Sequence, residues 1–112
     1  FALGESTGFK GNYDVFGDGL VVILETPGHT PGHTALQLTM PESGIILLTG
    51  DLYHMSKSRK LRLVPRFNTN EAETRESMVL FESIASELGA RVIIQHEPED
   101  VALLPKPPQF LQ

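Results

Sequence analysis

The sequence contains no cysteine among its 112 residues. This absence excludes a disulfide framework, a thiolate zinc site and a cysteine nucleophile. Any metal bound by this chain must therefore be held by histidine and carboxylate side chains.

Long apolar runs and an excess of positive charge are lacking as well. The longest apolar runs, residues 20–24 and 45–48, are far shorter than the ~20 residues that a membrane helix needs, and nothing resembles a signal peptide. Fourteen acidic residues against nine basic ones give a net charge of −5, which argues against binding nucleic acid by bulk electrostatics. These features predict a globular, cytoplasmic protein without nucleic-acid or membrane partners.

Turn signals divide the first half of the chain into two predicted hairpins. Residues 13–16 and 20–26 flank an Asp-Gly turn, and the alternating stretch at 36–40 is followed, after a second turn, by the apolar run at 45–48. Between the hairpins, two Pro-Gly pairs within residues 27–33 exclude a helix and indicate a tight, rigid loop.

The second half is predicted to contain one long loop, one helix and one strand. Residues 51–68 are polar, basic and irregular, which is typical either of a functional covering loop or of a solvated surface segment. Asn70 as N-cap, with Glu73 three residues later and apolar residues at helical spacing, predicts a helix that ends at Gly89. Residues 90–95 then form a short apolar strand, and the proline-rich tail cannot continue regular structure.

Residues of the metal-binding type follow three predicted strands, at His29, Asp51 and His96. The second hairpin brings the loop of His29 near Asp51, and the strand–helix–strand crossover favours parallel strands with Asp51 and His96 at one edge. Two imidazoles and one carboxylate suit Zn²⁺ with an open position for water. On spacing alone, Asp51 as a turn cap, His54 as a surface residue and His33 as a loop anchor stay open alternatives.

Several motifs resemble a known family. TPGHTPGH at 26–33, followed by LTGD at 48–51, resembles the metallo-β-lactamase superfamily of metal-dependent hydrolases. Four further segments resemble its N-acyl homoserine lactonase branch, so that the matches span nearly the whole chain: DVFGDG at 14–19, GDLYH at 50–54, VPRFN at 64–68 and IQHEP at 94–98. The resemblance implies an α/β fold, namely the C-terminal half of an αββα sandwich, with residues 1–112 as a partial domain.

The resemblance also implies a set of metal ligands. It makes His29 a ligand of one metal, Asp51 the bridge between two metals and His96 a ligand of the second, whereas His33 has no ligand role and is expected to brace the loop. The implied cofactor is a pair of Zn²⁺ ions, other divalent metals being possible.

The resemblance leaves two candidates for the residue that contacts the substrate. Lactonases of this fold place a tyrosine after the bridging aspartate to contact the substrate carbonyl, and here either Tyr53 or His54 occupies that region. The loop at 51–68 would line the entrance, with Leu61, Leu63 and Phe67 available to an acyl chain, although core packing is the preferred prediction for Phe67.

One element of the family pattern is absent. The signature H-x-H-x-D-H, which supplies most of the ligands and the acid for the leaving group, is missing, and the chain begins at Phe1. We therefore expect a fragment whose N-terminal half is missing, inactive alone and poorly soluble because one sheet face is exposed.

The resemblance implies the function of the complete domain. The complete domain would open the lactone ring of N-acyl homoserine lactones, that is, act in quorum quenching on a small lactone or ester substrate. The alternatives are a glyoxalase II-type thioesterase, an organophosphate hydrolase or a non-catalytic binding module.

Overall fold

Among residues 10–112, five strands form a single sheet, and their spatial order is the same as their order along the chain. The computed structural model describes residues 10–112. The strands are β1 Tyr13–Asp14, β2 Val21–Glu25, β3 Thr34–Met40, β4 Gly44–Leu48 and β5 Arg91–Ile93. The helices are α1 Ser56–Leu61, α2 Glu71–Leu88 and α3 Pro98–Ala102, and a 3-10 turn spans Gly50–Leu52.

Both predicted hairpins are confirmed. The strands β1 to β4 pair antiparallel, each with the next along the chain. The first strand is shorter than the predicted 13–16, because the Asp14 carboxylate accepts hydrogen bonds from the amides of Gly17 and Gly19 and so turns the chain early.

The predicted crossover is confirmed too. Strand β5 pairs parallel with β4, with Leu48 opposite Ile93. Strand β5 ends before residue 95 because the amide of Ile94 donates to the Asp100 carboxylate instead of to a strand. The carboxyl ends of β4 and β5 therefore lie side by side.

Helix α2 begins and ends where the sequence predicts. The Asn70 side chain accepts a hydrogen bond from the Glu73 amide at 3.0 Å, and Gly89 ends the helix in the left-handed conformation. Its buried face packs Met78 and Phe81 against one face of the sheet, where Leu24, Ala35 and Leu47 complete the core. Burial of each large apolar side chain stabilises the fold by roughly 1.5–3 kcal/mol.

The prediction that residues 51–68 are irregular is wrong, because this stretch contains the 3-10 turn and α1. Every residue of α1 is at least partly exposed, so the helix carries no apolar periodicity that the sequence could reveal. It is held instead by Arg59, whose guanidinium donates two hydrogen bonds to Glu82 of α2. Helix α3 was not predicted either; it begins with a proline, which tolerates the first helical position.

The face of the sheet opposite α2 borders an open apolar groove of about 430 Å³. Because side chains alternate along a strand, Leu38 and Leu48 point to this side while Leu47 points to the core. Residues 103–112 form turns and irregular chain, as predicted for the tail, and Leu104 and Phe110 line part of the groove. Within residues 10–112, no helix has both the length and the apolar character that a bilayer span requires.

Candidate metal centre

The structure brings His29, Asp51 and His96 together at the carboxyl ends of three strands, as the strand topology predicts. His29 Nε2 lies 3.4 Å from Asp51 Oδ2, and His96 Nε2 lies 2.6 Å from Asp51 Oδ1. The two oxygens of one carboxylate thus face two different imidazoles.

His54 joins this cluster. Its ring stacks on His96 with centroids 5.2 Å apart, and it meets His29 edge-on at 5.8 Å. Asp51, His54 and His96 each offer a ligand atom within 4.8 Å of the others, so these three could hold a metal ion. From the sequence, His54 is expected to contact substrate or to lie on the surface. The turn signal at Gly50 is the feature from which its position within reach of a metal could have been inferred.

Tyr53 does not lie at the cluster, which corrects its predicted role in contacting substrate. Its side chain is fully buried against Phe81, and its hydroxyl donates to Glu82 at 3.0 Å. Tyr53 has extended backbone, and successive side chains of extended chain point to opposite sides. Tyr53 therefore enters the core while His54 faces the cluster. Burial raises the pKa of the Tyr53 hydroxyl above its usual range.

The Pro-Gly-His loop is fixed on the start of α2. The carbonyl of Gly28 accepts hydrogen bonds from the Asn70 amide at 2.9 Å and from the Asn68 side chain at 3.1 Å, and the carbonyl of His29 accepts from the Thr69 hydroxyl at 2.9 Å. At Gly28 φ is +130°, and an added Cβ would overlap Thr74. The loop therefore presents His29 rigidly, with only 17% of its side chain exposed.

His33 braces this loop, as predicted. Its Nδ1 lies 2.8 Å from the Thr26 carbonyl oxygen, and its Nε2 accepts a hydrogen bond from the Asp51 amide at 2.8 Å. Burial lowers the pKa of the imidazole, which favours its neutral form.

The electrostatics of the cluster suit a divalent cation. The hydrogen bond with His96 lowers the pKa of the Asp51 carboxyl, and burial lowers the pKa of His54. An anionic carboxylate surrounded by imidazoles is the donor set that zinc prefers when thiolates are absent. Nδ1 of His29 is buried and has no hydrogen-bond partner among residues 10–112, so its bonding capacity is unused. The donor set therefore fits a metal site.

The cluster opens to solvent past an exposed aromatic ring. Phe67 is 73% exposed, and its ring lies edge-on to His29 at 6.2 Å and to His54 at 5.9 Å. The preferred prediction of core packing for Phe67 is therefore wrong: the proline-flanked segment holds it outside the core. Leu61 and Leu63 are exposed as well.

No family model matches the chain, but individual proteins do. It is 34% identical over 98 residues to the N-acyl homoserine lactonase AttM of Rhizobium radiobacter and 31% identical to that of Azorhizobium caulinodans. Each match covers 88% of this chain and 37% of the relative. The chain thus spans well under half the length of these relatives.

Solved structures share the fold. An N-acyl homoserine lactone hydrolase with the product N-hexanoyl-L-homoserine at its catalytic metal centre superposes with a TM-score of 0.81 and 24% identity, covering 92% of this chain and 40% of the other. The dizinc quorum-quenching lactonase AidC gives a TM-score of 0.61 and 21% identity, over 77% of this chain and 30% of the other. The sequence likeness and the shared fold agree: over most of its length the chain is similar to N-acyl homoserine lactonases, and it has an α/β fold like that of an N-acyl homoserine lactone hydrolase.

Proposed function

We propose that this chain is part of a metal-dependent hydrolase that opens the ring of N-acyl homoserine lactones. The observation that carries the proposal is the Asp51 carboxylate, whose two oxygens face His29 and His96 separately. This is the arrangement that a carboxylate needs to serve two metal ions at once. The names of the relatives support the choice of lactones, and a dizinc relative supports two zinc ions as the cofactor.

In this proposal His29, Asp51 and His96 are the residues of this chain that would hold zinc. A divalent metal at this site would supply a water of lowered pKa for attack and polarisation of the lactone carbonyl. Without metal, the hydrogen bond with His96 lowers the pKa of Asp51, which favours the anionic carboxylate that a metal would bind. The remaining ligands, and the acid that protonates the departing alkoxide, come from a further segment of the domain that carries H-x-H-x-D-H.

His54 and Phe67 are assigned to the substrate. Burial lowers the pKa of His54 and so favours the neutral imidazole, in which one ring nitrogen carries a hydrogen for the carbonyl oxygen on which negative charge develops. The exposed Phe67 ring, in contact with His29 and His54, offers apolar surface to the acyl chain beside the reacting carbonyl.

The first test is Asp51→Asn in the complete domain. The loss of the charge shared by both metals should lower bound zinc and lactone hydrolysis together, each by at least about 10-fold. Asp18→Asn is the matched control, because Asp18 lies in the β1–β2 turn, at the end of β2 away from His29. Metal analysis and a pH-indicator assay of ring opening give the two readouts, and unchanged zinc content and rate would exclude the assignment.

A substrate panel separates lactone opening from the related hydrolases. We expect the complete domain to hydrolyse N-hexanoyl homoserine lactone with the highest kcat/KM, above a glutathione thioester and an organophosphate triester. A higher kcat/KM for either competitor would move the function to that class. A domain that binds no zinc would be a non-catalytic module instead.

A further inference from the structure

The partners of His33 define a single form of its ring. A backbone carbonyl can only accept a hydrogen bond, and a backbone amide can only donate one. Because Nδ1 lies 2.8 Å from the Thr26 carbonyl oxygen, Nδ1 must carry the hydrogen; because Nε2 accepts from the Asp51 amide at 2.8 Å, Nε2 must carry none. His33 is therefore held in its Nδ1–H tautomer.

The amide that His33 binds belongs to the 3-10 turn Gly50–Leu52. The first amides of a helical turn have no partner within the turn, so something outside must satisfy them. Here the Gly50 amide donates to the side chain of Gln95 at 3.1 Å, and the Asp51 amide donates to His33 at 2.8 Å. The turn is thus held from both sides, by a residue just before β3 and by a residue just after β5.

The packing around Gly50 makes this contact close. A Cβ at residue 50 would lie 2.7 Å from His33 Nε2 and 3.0 Å from the Thr34 carbonyl oxygen. The imidazole therefore rests directly against the backbone of the turn, one residue before Asp51.

We propose that His33 is a positioning residue: as the Nδ1–H tautomer it fixes the backbone of Asp51 and thereby the direction of the carboxylate toward His29 and His96. This inference rests on the proposed function for its metal, but the hydrogen bond itself can be tested without metal or substrate.

Two substitutions test the hydrogen bonds of the two ring nitrogens separately. In His33→Gln the side-chain oxygen can reach the position of Nε2 and accept from the Asp51 amide. In His33→Asn the shorter amide can donate to the Thr26 carbonyl from the position of Nδ1 but cannot reach Asp51. We expect Zn²⁺ affinity of the complete domain, measured by calorimetry, to fall about 10- to 100-fold in His33→Asn and to stay within about threefold in His33→Gln.

Thermal denaturation of both variants is the control for global effects. Equal loss of zinc affinity in both variants, or no loss in either, with folding retained, would overturn the inference while leaving the proposed function intact. Loss of zinc binding in Asp51→Asn together with retained binding in His33→Asn would likewise overturn the positioning role of His33 and leave the proposed function intact. A wild-type domain that binds no zinc would overturn the proposed function and the positioning role with it.

A direct measurement needs no variant. In the complete domain labelled with ¹⁵N and kept free of metal, we expect a nitrogen–nitrogen coupling across the hydrogen bond between the Asp51 amide and His33 Nε2. We also expect the ring ¹⁵N shifts of a neutral imidazole protonated at Nδ1. A ring protonated at Nε2, or a missing coupling in the folded chain, would overturn the inference whatever the metal does.

Discussion

At Gly50 the backbone takes a φ of +57°, directly beside the ring of His33. The same φ occurs at Gly89, at the end of α2, where an added Cβ would meet no atom of the described residues within 4 Å. The two glycines therefore differ in the space around them and agree in backbone conformation. This pair separates backbone strain from side-chain overlap.

We expect Gly50→Ala to lower the free energy of unfolding by about 2–4 kcal/mol, because strain at positive φ adds to overlap with His33. Gly89→Ala should lower it by only about 1 kcal/mol, from backbone strain alone. Urea denaturation followed by circular dichroism measures both. Equal losses would mean that the imidazole moves away freely and does not hold the turn.

Helix α1 is attached to α2 through charges, and this attachment should depend on pH. The hydrogen bonds from Arg59 lower the pKa of Glu82, so the folded chain binds a proton at Glu82 less readily than the unfolded chain does. The stabilisation is therefore fully present above the ordinary glutamate pKa of about 4.3 and is lost as pH falls through the lower pKa of the folded state. Tyr53 also lowers the pKa of Glu82, since its buried hydroxyl donates a hydrogen bond to the same carboxylate.

Accordingly, Glu82→Gln should lower the free energy of unfolding by about 1–2 kcal/mol at pH 7, and the difference from the wild type should shrink as pH falls below about 4. Glu76→Gln, on an exposed position of the same helix, is the control and should change little. Chemical denaturation at a series of pH values measures the effect. A difference that grows as pH falls would contradict the assigned direction of the pKa shift.

The elements that the sequence predicts well are those that carry their own signals. The hairpins have turn residues and alternation, and α2 has Asn70, Gly89 and an apolar face, so local chemistry determines them. Helix α1 has none of these, because an ion pair with a distant residue holds it in place. The same reason explains the errors at the site: whether Tyr53 or Phe67 is buried depends on the path of the chain after β4, and neither residue type reveals that path.

At the scale of the whole molecule, the cluster joins the ends of β2, β4 and β5. A ligand that binds only the folded chain stabilises it by mass action, by about 2.7 kcal/mol at a free concentration of 100 times Kd. A metal bound by His29, Asp51 and His96 would therefore act on the stability of the entire sheet.

We expect Zn²⁺ at about 100 times its Kd to raise the Tm of the 112-residue chain by about 10 °C. Mg²⁺, which prefers oxygen ligands in octahedral geometry, should raise it little, and Asp51→Asn should abolish the response to zinc. Differential scanning calorimetry with and without a chelator is the measurement. Zinc that binds without raising the Tm would show that the metal binds the unfolded chain as well as the folded one. A rise that persists in Asp51→Asn would show that the metal lies away from the cluster.

The contact between Asp51 and His96 joins residues that are 45 apart in the sequence. The antiparallel hairpins close over a few residues each, whereas β4 and β5 pair only after α2 has carried the chain across the sheet. Loop closure over a longer stretch is slower and entropically less favourable. We therefore expect the cluster to assemble in the last steps of folding. A metal ion that arrives early would find only His29 and Asp51 in place. Metal binding would then stabilise a sheet that has already formed and would not nucleate its folding.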